Sequence, residues 1–153
     1  YQAELRSALG RSPVAMLVGP RQSGKSTLAR ELQPDGEVHF FDLEDPAAAA
    51  ALAQPRTTLR SLRGLVVLDE AQRQPELFPV LRVLADRPDG GAKFLVLGSA
   101  TPELSRQSAE SLAGRVAIVE LRGFDLGEVG TEALDELWVR GGFPRSFLAA
   151  SSA

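Results

Sequence analysis

The fold turns on one stretch, Met16-Leu17-Val18-Gly19-Pro20-Arg21-Gln22-Ser23-Gly24-Lys25-Ser26-Thr27. Three apolar residues run into a glycine-rich octet, Gly19 to Ser26, and Thr27 to Leu32 then reads as a helix stopped by Pro34-Asp35-Gly36. The octet has the spacing G-x-x-x-x-G-K-[ST], set between a strand and a helix N-terminus. Backbone N–H groups of such a loop converge on phosphate oxygens, and the dipole of the following helix adds to the attraction. On this reading Gly19, Pro20, Arg21, Gln22, Ser23, Gly24, Lys25, Ser26 and Thr27 form a phosphate cradle. Lys25 contacts the β- and γ-phosphates, and the Ser26 hydroxyl is a Mg²⁺ ligand. The competing reading is a glycine-rich turn with an exposed lysine, and the flanking strand and helix weigh against it.

Outward from this stretch, apolar runs and breakers alternate. Val38 to Phe41 reads as a short strand, and Asp45-Pro46 as an N-cap and first turn feeding the alanine run Ala47 to Ala51. Leu65 to Leu68 and Phe94 to Leu97 are uninterrupted apolar strands, the kind buried on both faces of a parallel sheet. Between them Glu76 to Ala85 carries Leu77, Val80, Leu81 and Leu84 on one helical stripe, with Pro79 making the first turn irregular. Thr101-Pro102 starts a helix ended by Gly114, Val116 to Leu121 is a fifth strand, Leu134 to Val139 is helical, and Pro144 starts a last helix. Strands alternating with helices predict an α/β fold with a parallel sheet. A linker-like shift over Gly123 to Gly130 divides a sheet domain, 1–122, from a helical portion, 123–153.

Two more strand ends carry chemistry. Leu65-Val66-Val67-Leu68 delivers Asp69 and Glu70 at the carboxyl end of a buried strand, where ligands of open α/β sheets bind. Asp69 is placed to hold Mg²⁺, and Glu70 to accept a proton from an attacking water as general base. An Asp-Glu pair favours hydrolysis over phosphoryl transfer to a small molecule. Thirty positions after Asp69, Leu95-Val96-Leu97-Gly98-Ser99-Ala100-Thr101 ends another strand in hydroxyls. Ser99 is the expected polar sensor between the γ-phosphate and the water; Thr101 is as well placed to cap the helix at Pro102.

Together GPRQSGKST, LVVLDEAQ and FLVLGSAT resemble the Walker A, Walker B and sensor segments of the AAA+ superfamily. FFDLEDP, ESLAGRV and WVRGGFPRSFLA narrow the resemblance to a group of prokaryotic AAA-type ATPases with a further C-terminal domain that this sequence lacks. The resemblance implies a P-loop NTPase with a five-stranded parallel sheet in the order 5-1-4-3-2, a partial helical lid, ATP and Mg²⁺ as ligands, and a homo-oligomer. It also gives meaning to two arginines. Arg115 stands where such proteins place an arginine finger reaching a neighbour's nucleotide; its alternative is a cation at a helix C-terminus. Arg145, in Gly142-Phe143-Pro144-Arg145, stands where a second sensor reaches the nucleotide; its alternative is a surface arginine. Serine replaces the asparagine common at the first sensor, which leaves the water-positioning role of Ser99 open.

Composition narrows the rest. The chain has 153 residues, 44% apolar and 24% charged, within the globular range for one domain or a fragment of one. It has no cysteine and a single histidine, His39, which excludes disulfides, thiolate chemistry and histidine-cluster metal sites. His39 and Trp138 are expected as a satisfied strand residue and as lid core. The net charge of −3 argues against a nucleic-acid footprint covering a whole face, although fifteen of the seventeen basic residues are arginine. The scattered phenylalanines offer no platform for single strands. No run suits a membrane span or signal peptide, so a cytoplasmic, reducing setting is expected, and Tyr1 in place of Met suggests a trimmed start. The leading function is an ATPase domain that couples Mg-ATP hydrolysis to conformational change or partner regulation, with no protein or nucleic-acid partner named. The alternatives are a nucleotide-dependent switch with little turnover and a helicase-type motor. Only 44 residues separate Lys25 from Asp69, too few for the strands that helicases insert there.

Overall fold

The structure, a computed structural model, describes residues 1–32 and 36–149. Pro34 and Asp35, expected to stop a helix, lie outside these, as do the last four residues of the helical portion. The elements in chain order are α1 (Gln2–Arg11), β1 (Val14–Gly19), α2 (Lys25–Glu31), β2 (Val38–Asp42), α3 (Pro46–Ala51), α4 (Pro55–Arg60) and β3 (Leu65–Asp69). They continue with α5 (Leu77–Ala85), β4 (Lys93–Ser99), α6 (Pro102–Ser111), β5 (Val116–Glu120), α7 (Leu126–Val129), α8 (Leu134–Arg140) and α9 (Pro144–Phe147). The strands form one parallel sheet in the order β2-β3-β4-β1-β5, which is the expected 5-1-4-3-2 written from the other edge.

Side-chain alternation along the inner strands builds a core on each face of this sheet. Met16, Val66, Leu68, Phe94 and Val96 point to one face and meet Leu77, Phe78, Leu81 and Leu84 of α5 with Leu104 of α6. Ala15, Leu17, Val67, Leu95 and Leu97 point to the other and meet Leu5 and Ala8 of α1 and Ala29 of α2. Phe78 is fully buried in α5, whereas Val80 of the expected helical stripe is only half-buried. Pro79 sits in the first turn of α5, whose N–H groups lack helical partners in any case.

Helix starts follow capping chemistry. Asp45 accepts from the Ala47 N–H at 2.9 Å ahead of Pro46, and Thr101 accepts from the Leu104 N–H at 3.3 Å ahead of Pro102. Thr101 is therefore a cap. Helix α6 ends at Ser111, three residues before Gly114, whose φ of +74° belongs to the turn into β5. The segment from Phe124 onward is three short helices without a buried residue, tied together by an edge contact of the Phe124 and Phe147 rings. Trp138 on α8 is 87% exposed, not core as expected, because a seven-residue helix on this small segment has no second layer to bury it.

Candidate functional site

Lys25 opens α2 directly behind Gly24, whose φ of +91° is the left-handed conformation that a side chain would strain. This turn draws the Lys25 side chain back under the loop, where it is only 5% exposed. Its ammonium donates to the carbonyls of Pro20 at 2.7 Å and Gly19 at 3.1 Å. Ser23 Oγ donates to the same Pro20 carbonyl at 2.9 Å. Burial pushes the Lys25 pKa below its ordinary value; Glu70 and Asp69 pull it back up, and Arg21 adds to the lowering. The hydrogen bonds of the ammonium thus go to neutral carbonyls, with the Glu70 and Asp69 charges nearby.

Asp69 ends β3, is 3% exposed, and accepts from the Glu70 N–H at 3.0 Å. Glu70 has φ 55° and ψ 40°, and Gln22 has φ 64°. These are the non-glycine residues with left-handed backbone among those described, and both belong to this site. Such strain costs about 1–3 kcal/mol and persists where neighbours enforce it. Gln72 Nε2 donates to Glu70 Oε2 in the same turn. Gln72 Oε1 is buried without a partner. It faces β4 at Gly98, where a Cβ would lie 2.9 Å from Oε1 and 2.5 Å from Leu104 Cδ2.

A cleft of about 280 Å³ joins these parts and is lined by Gln22, Gly24, Lys25, Ser26, Thr27, Glu70, Pro144 and Arg145. Arg145, an exposed residue, lines the same cleft as the phosphate loop from more than a hundred residues away. Behind Gly24, Thr27 and Pro144 opens a more apolar cavity of about 450 Å³, walled by Tyr1, Leu28, Leu121, Phe124 and Leu148. Ser99 ends β4 in register with Gly19. Arg21 is exposed and pairs with Glu44 at 3.6 Å.

Arg115 is not brought to this site. Its carbonyl accepts from the Val14 N–H at the start of β1, so it lies at the opposite end of the sheet, about 17 Å from Gly19 at ~3.3 Å per strand residue. Its Nε and Nη2 donate to both oxygens of Asp86 at 2.6 and 2.8 Å, and Nη1 to the Ala113 carbonyl at 2.9 Å. The Arg115 hydrogen bond holds the Asp86 carboxyl below the usual range. His39 lies in β2 with Nε2 3.5 Å from Glu37 Oε2 and without a hydrogen bond there, so it is not the satisfied residue expected.

Among the described residues no cluster of three or more His, Cys, Asp or Glu side chains could hold a metal alone. Magnesium does not need one: it takes one or two protein oxygens and fills its octahedron with phosphate and water. A buried Asp69 carboxylate and the Ser26 hydroxyl on the phosphate cleft are the donor set that suits it.

Sequence reasoning missed Gln72 and Asp86. The first stands two residues after Glu70 and was legible as a polar side chain in the same turn; the second bridges 29 positions, and no local signal marks it. Among the described residues no helix is long and apolar enough to cross a membrane.

A family model described as AAA domain (AAA_14) matches residues 11–130. Two uncharacterized proteins, from Mycobacterium bovis and Mycobacterium tuberculosis, are each 54% identical over 150 residues, covering 98% of this chain. The chain spans 34% of the length of each. Among solved structures, a Walker-type ATPase of Pyrococcus abyssi superposes with a TM-score of 0.66 at 18% identity, over 94% of this chain and 63% of that one. AMPPCP-bound DnaA from Aquifex aeolicus gives 0.58 at 17% identity, over 94% and 56%. These likenesses show the fold, a P-loop NTPase sheet flanked by helices.

Proposed function

The chain belongs to this AAA domain family of P-loop NTPases, and we propose on that premise that it binds Mg-ATP at the Lys25 loop and hydrolyses it to drive a conformational change or regulate a partner. The observation that carries the proposal is the single cleft joining Lys25, Ser26, Glu70 and Arg145. The γ-phosphate would exchange the lysine's carbonyl partners for its own oxygens, and the base would enter the apolar cavity beside Tyr1 and Phe124. Bound magnesium, held by Ser26 and Asp69, would neutralise charge on the phosphates. Glu70 takes a proton from water as its oxygen attacks the γ-phosphorus and the bond to the β-phosphate oxygen breaks. Ser99 is proposed to orient that water, and Arg145 to hold the phosphates from the helical portion, 123–153, acting as a partial lid on the core of 1–122. The cytoplasm remains the proposed setting.

The Gln72 bond to Glu70 favours a second reading, a switch that holds ATP with its base restrained. Replacing Gln72 with Ala separates the two. If the bond holds Glu70 in its working pose, kcat falls about tenfold or more with KM unchanged, the scale of one lost charged hydrogen bond. A higher kcat would mean that the bond restrains turnover.

Arg115 lies too far from the chain's own cleft for a cis role, and the proposal keeps it as a finger for a neighbour's nucleotide in a homo-oligomer, which requires it to leave Asp86. Mixing Lys25→Ala with Arg115→Ala in the full chain tests this. In a randomly mixed ring about a quarter of the sites would pair an intact loop with an intact arginine, so roughly a quarter of parental activity returns. No recovery would make Arg115 a structural partner of Asp86.

A further inference from the structure

Away from the nucleotide cleft, α4 carries Arg56 and Arg60 one turn apart, with Arg63 following. Like charges spaced i, i+4 repel by a few tenths of a kcal/mol. Here neither Arg56 nor Arg60 has a carboxylate or carbonyl partner for its guanidinium among the described residues. Two further guanidiniums converge on the same spot. Arg87 donates to the Arg60 carbonyl at 2.6 Å, and Arg63 to the carbonyls of Arg60 at 3.3 Å and Leu62 at 2.9 Å. One carboxylate serves both: Asp89 accepts from Arg87 Nε at 2.9 Å and from Arg63 Nη2 at 3.5 Å. The Arg87 side chain is only 18% exposed and is held in place by these bonds.

Arg56, Arg60, Arg87 and Asp89 line a cleft of about 330 Å³ between α4 and the end of α5, with Val83, Leu84 and Pro88 as its apolar wall, and Arg63 flanks it through Asp89. The three arginines of the lining against Asp89 leave a local excess of two positive charges on a chain whose net charge is −3. Arg63 precedes β3 and Arg87 precedes β4, so the cleft opens at the amino ends of the strands, opposite the phosphate loop.

We propose that this cleft docks the phosphodiester backbone of a nucleic-acid duplex. Planar guanidiniums pair with phosphate oxygens in two-pronged fashion, and the unpaired forks of Arg56 and Arg60 supply the free donors. The cleft has no aromatic ring on which a single strand could stack, and its guanidiniums suit phosphate oxygens, so the contact proposed is to duplex backbone. The footprint is one cleft rather than a face, in keeping with the acidic whole. It does not depend on ATP turnover.

The experiment is fluorescence anisotropy of a labelled 20-base-pair DNA duplex with the full chain between 50 and 200 mM salt, with an RNA duplex as a second arm and polyglutamate as competitor. The variants are Arg60→Gln, the pair Arg56→Gln/Arg60→Gln, and Arg106→Gln, an exposed arginine of α6, as control. Each neutralised phosphate contributes about 0.9 to the slope of log affinity against log salt. The single variant is expected to lower the slope by about one and the double variant by about two, with affinity down about tenfold or more, while Arg106→Gln matches the parent. The thermal shift with ATP is unchanged in all three. No binding at 50 mM salt, an equal loss in Arg106→Gln, or displacement by polyglutamate at matched charge overturns the proposal.

Discussion

Glu70→Gln is expected to bind ATP as tightly as the parent and to hydrolyse it about 10²–10⁴-fold more slowly, the range that a general base contributes. The substitution keeps the shape of the side chain and an oxygen that can accept from Gln72, so the left-handed turn at residue 70 retains its support. What it removes is the carboxylate proposed to take the proton from water. Asp69, buried one residue earlier and bonded to the residue 70 N–H, is undisturbed. Measured as kcat with the nucleotide Kd alongside, the loss should fall wholly on kcat. Equal turnover in parent and variant would show that another group activates the water.

Lys25→Ala is expected to abolish the stabilisation by Mg-ATP. A ligand at a hundred times its Kd stabilises the native state by about 2.7 kcal/mol. For a chain of this size that is a rise in Tm of roughly 5–10 °C. The parent should show this shift and the variant none, because the variant loses Lys25, the one buried cation on the cleft among the described residues. Without nucleotide the variant should melt near the parent: it removes a desolvated ammonium but leaves the Gly19 and Pro20 carbonyls without that donor. Scanning calorimetry with and without ATP checks both points. An unshifted parent at millimolar ATP would contradict the nucleotide assignment.

The strands and the phosphate loop were legible because their physics is local. A strand buried on both faces must be an apolar run, as Leu65 to Leu68 and Phe94 to Leu97 are, and proline at a first helical position marks its own helix. Helix α1 left no such mark: Tyr1 at its N-cap makes no side-chain bond, and only Leu5 and Ala8 betray a buried stripe. Helix α4 had the mark in Pro55 but stands behind Gln54, which makes no cap. Lys25, Glu70 and Arg145 were placed in advance and do line one cleft. Gln72, Asp86 and the arginine cleft were not foreseen, since each depends on which side chains the fold sets face to face across 2, 29 or 27 positions. Trp138 went wrong for a related reason: hydrophobicity suggests burial, but a residue is buried only where a second layer covers it.

The central claim is that the Lys25–Glu70 cleft hydrolyses Mg-ATP. Single-turnover hydrolysis tests it most directly, with the full chain in excess over radiolabelled ATP and Mg²⁺, comparing the parent with Glu70→Gln. The account predicts that both bind the label to the same extent and that only the parent converts it to ADP and phosphate over the time course. A parent that holds ATP intact, or a variant that cleaves it at the parental rate, would contradict it.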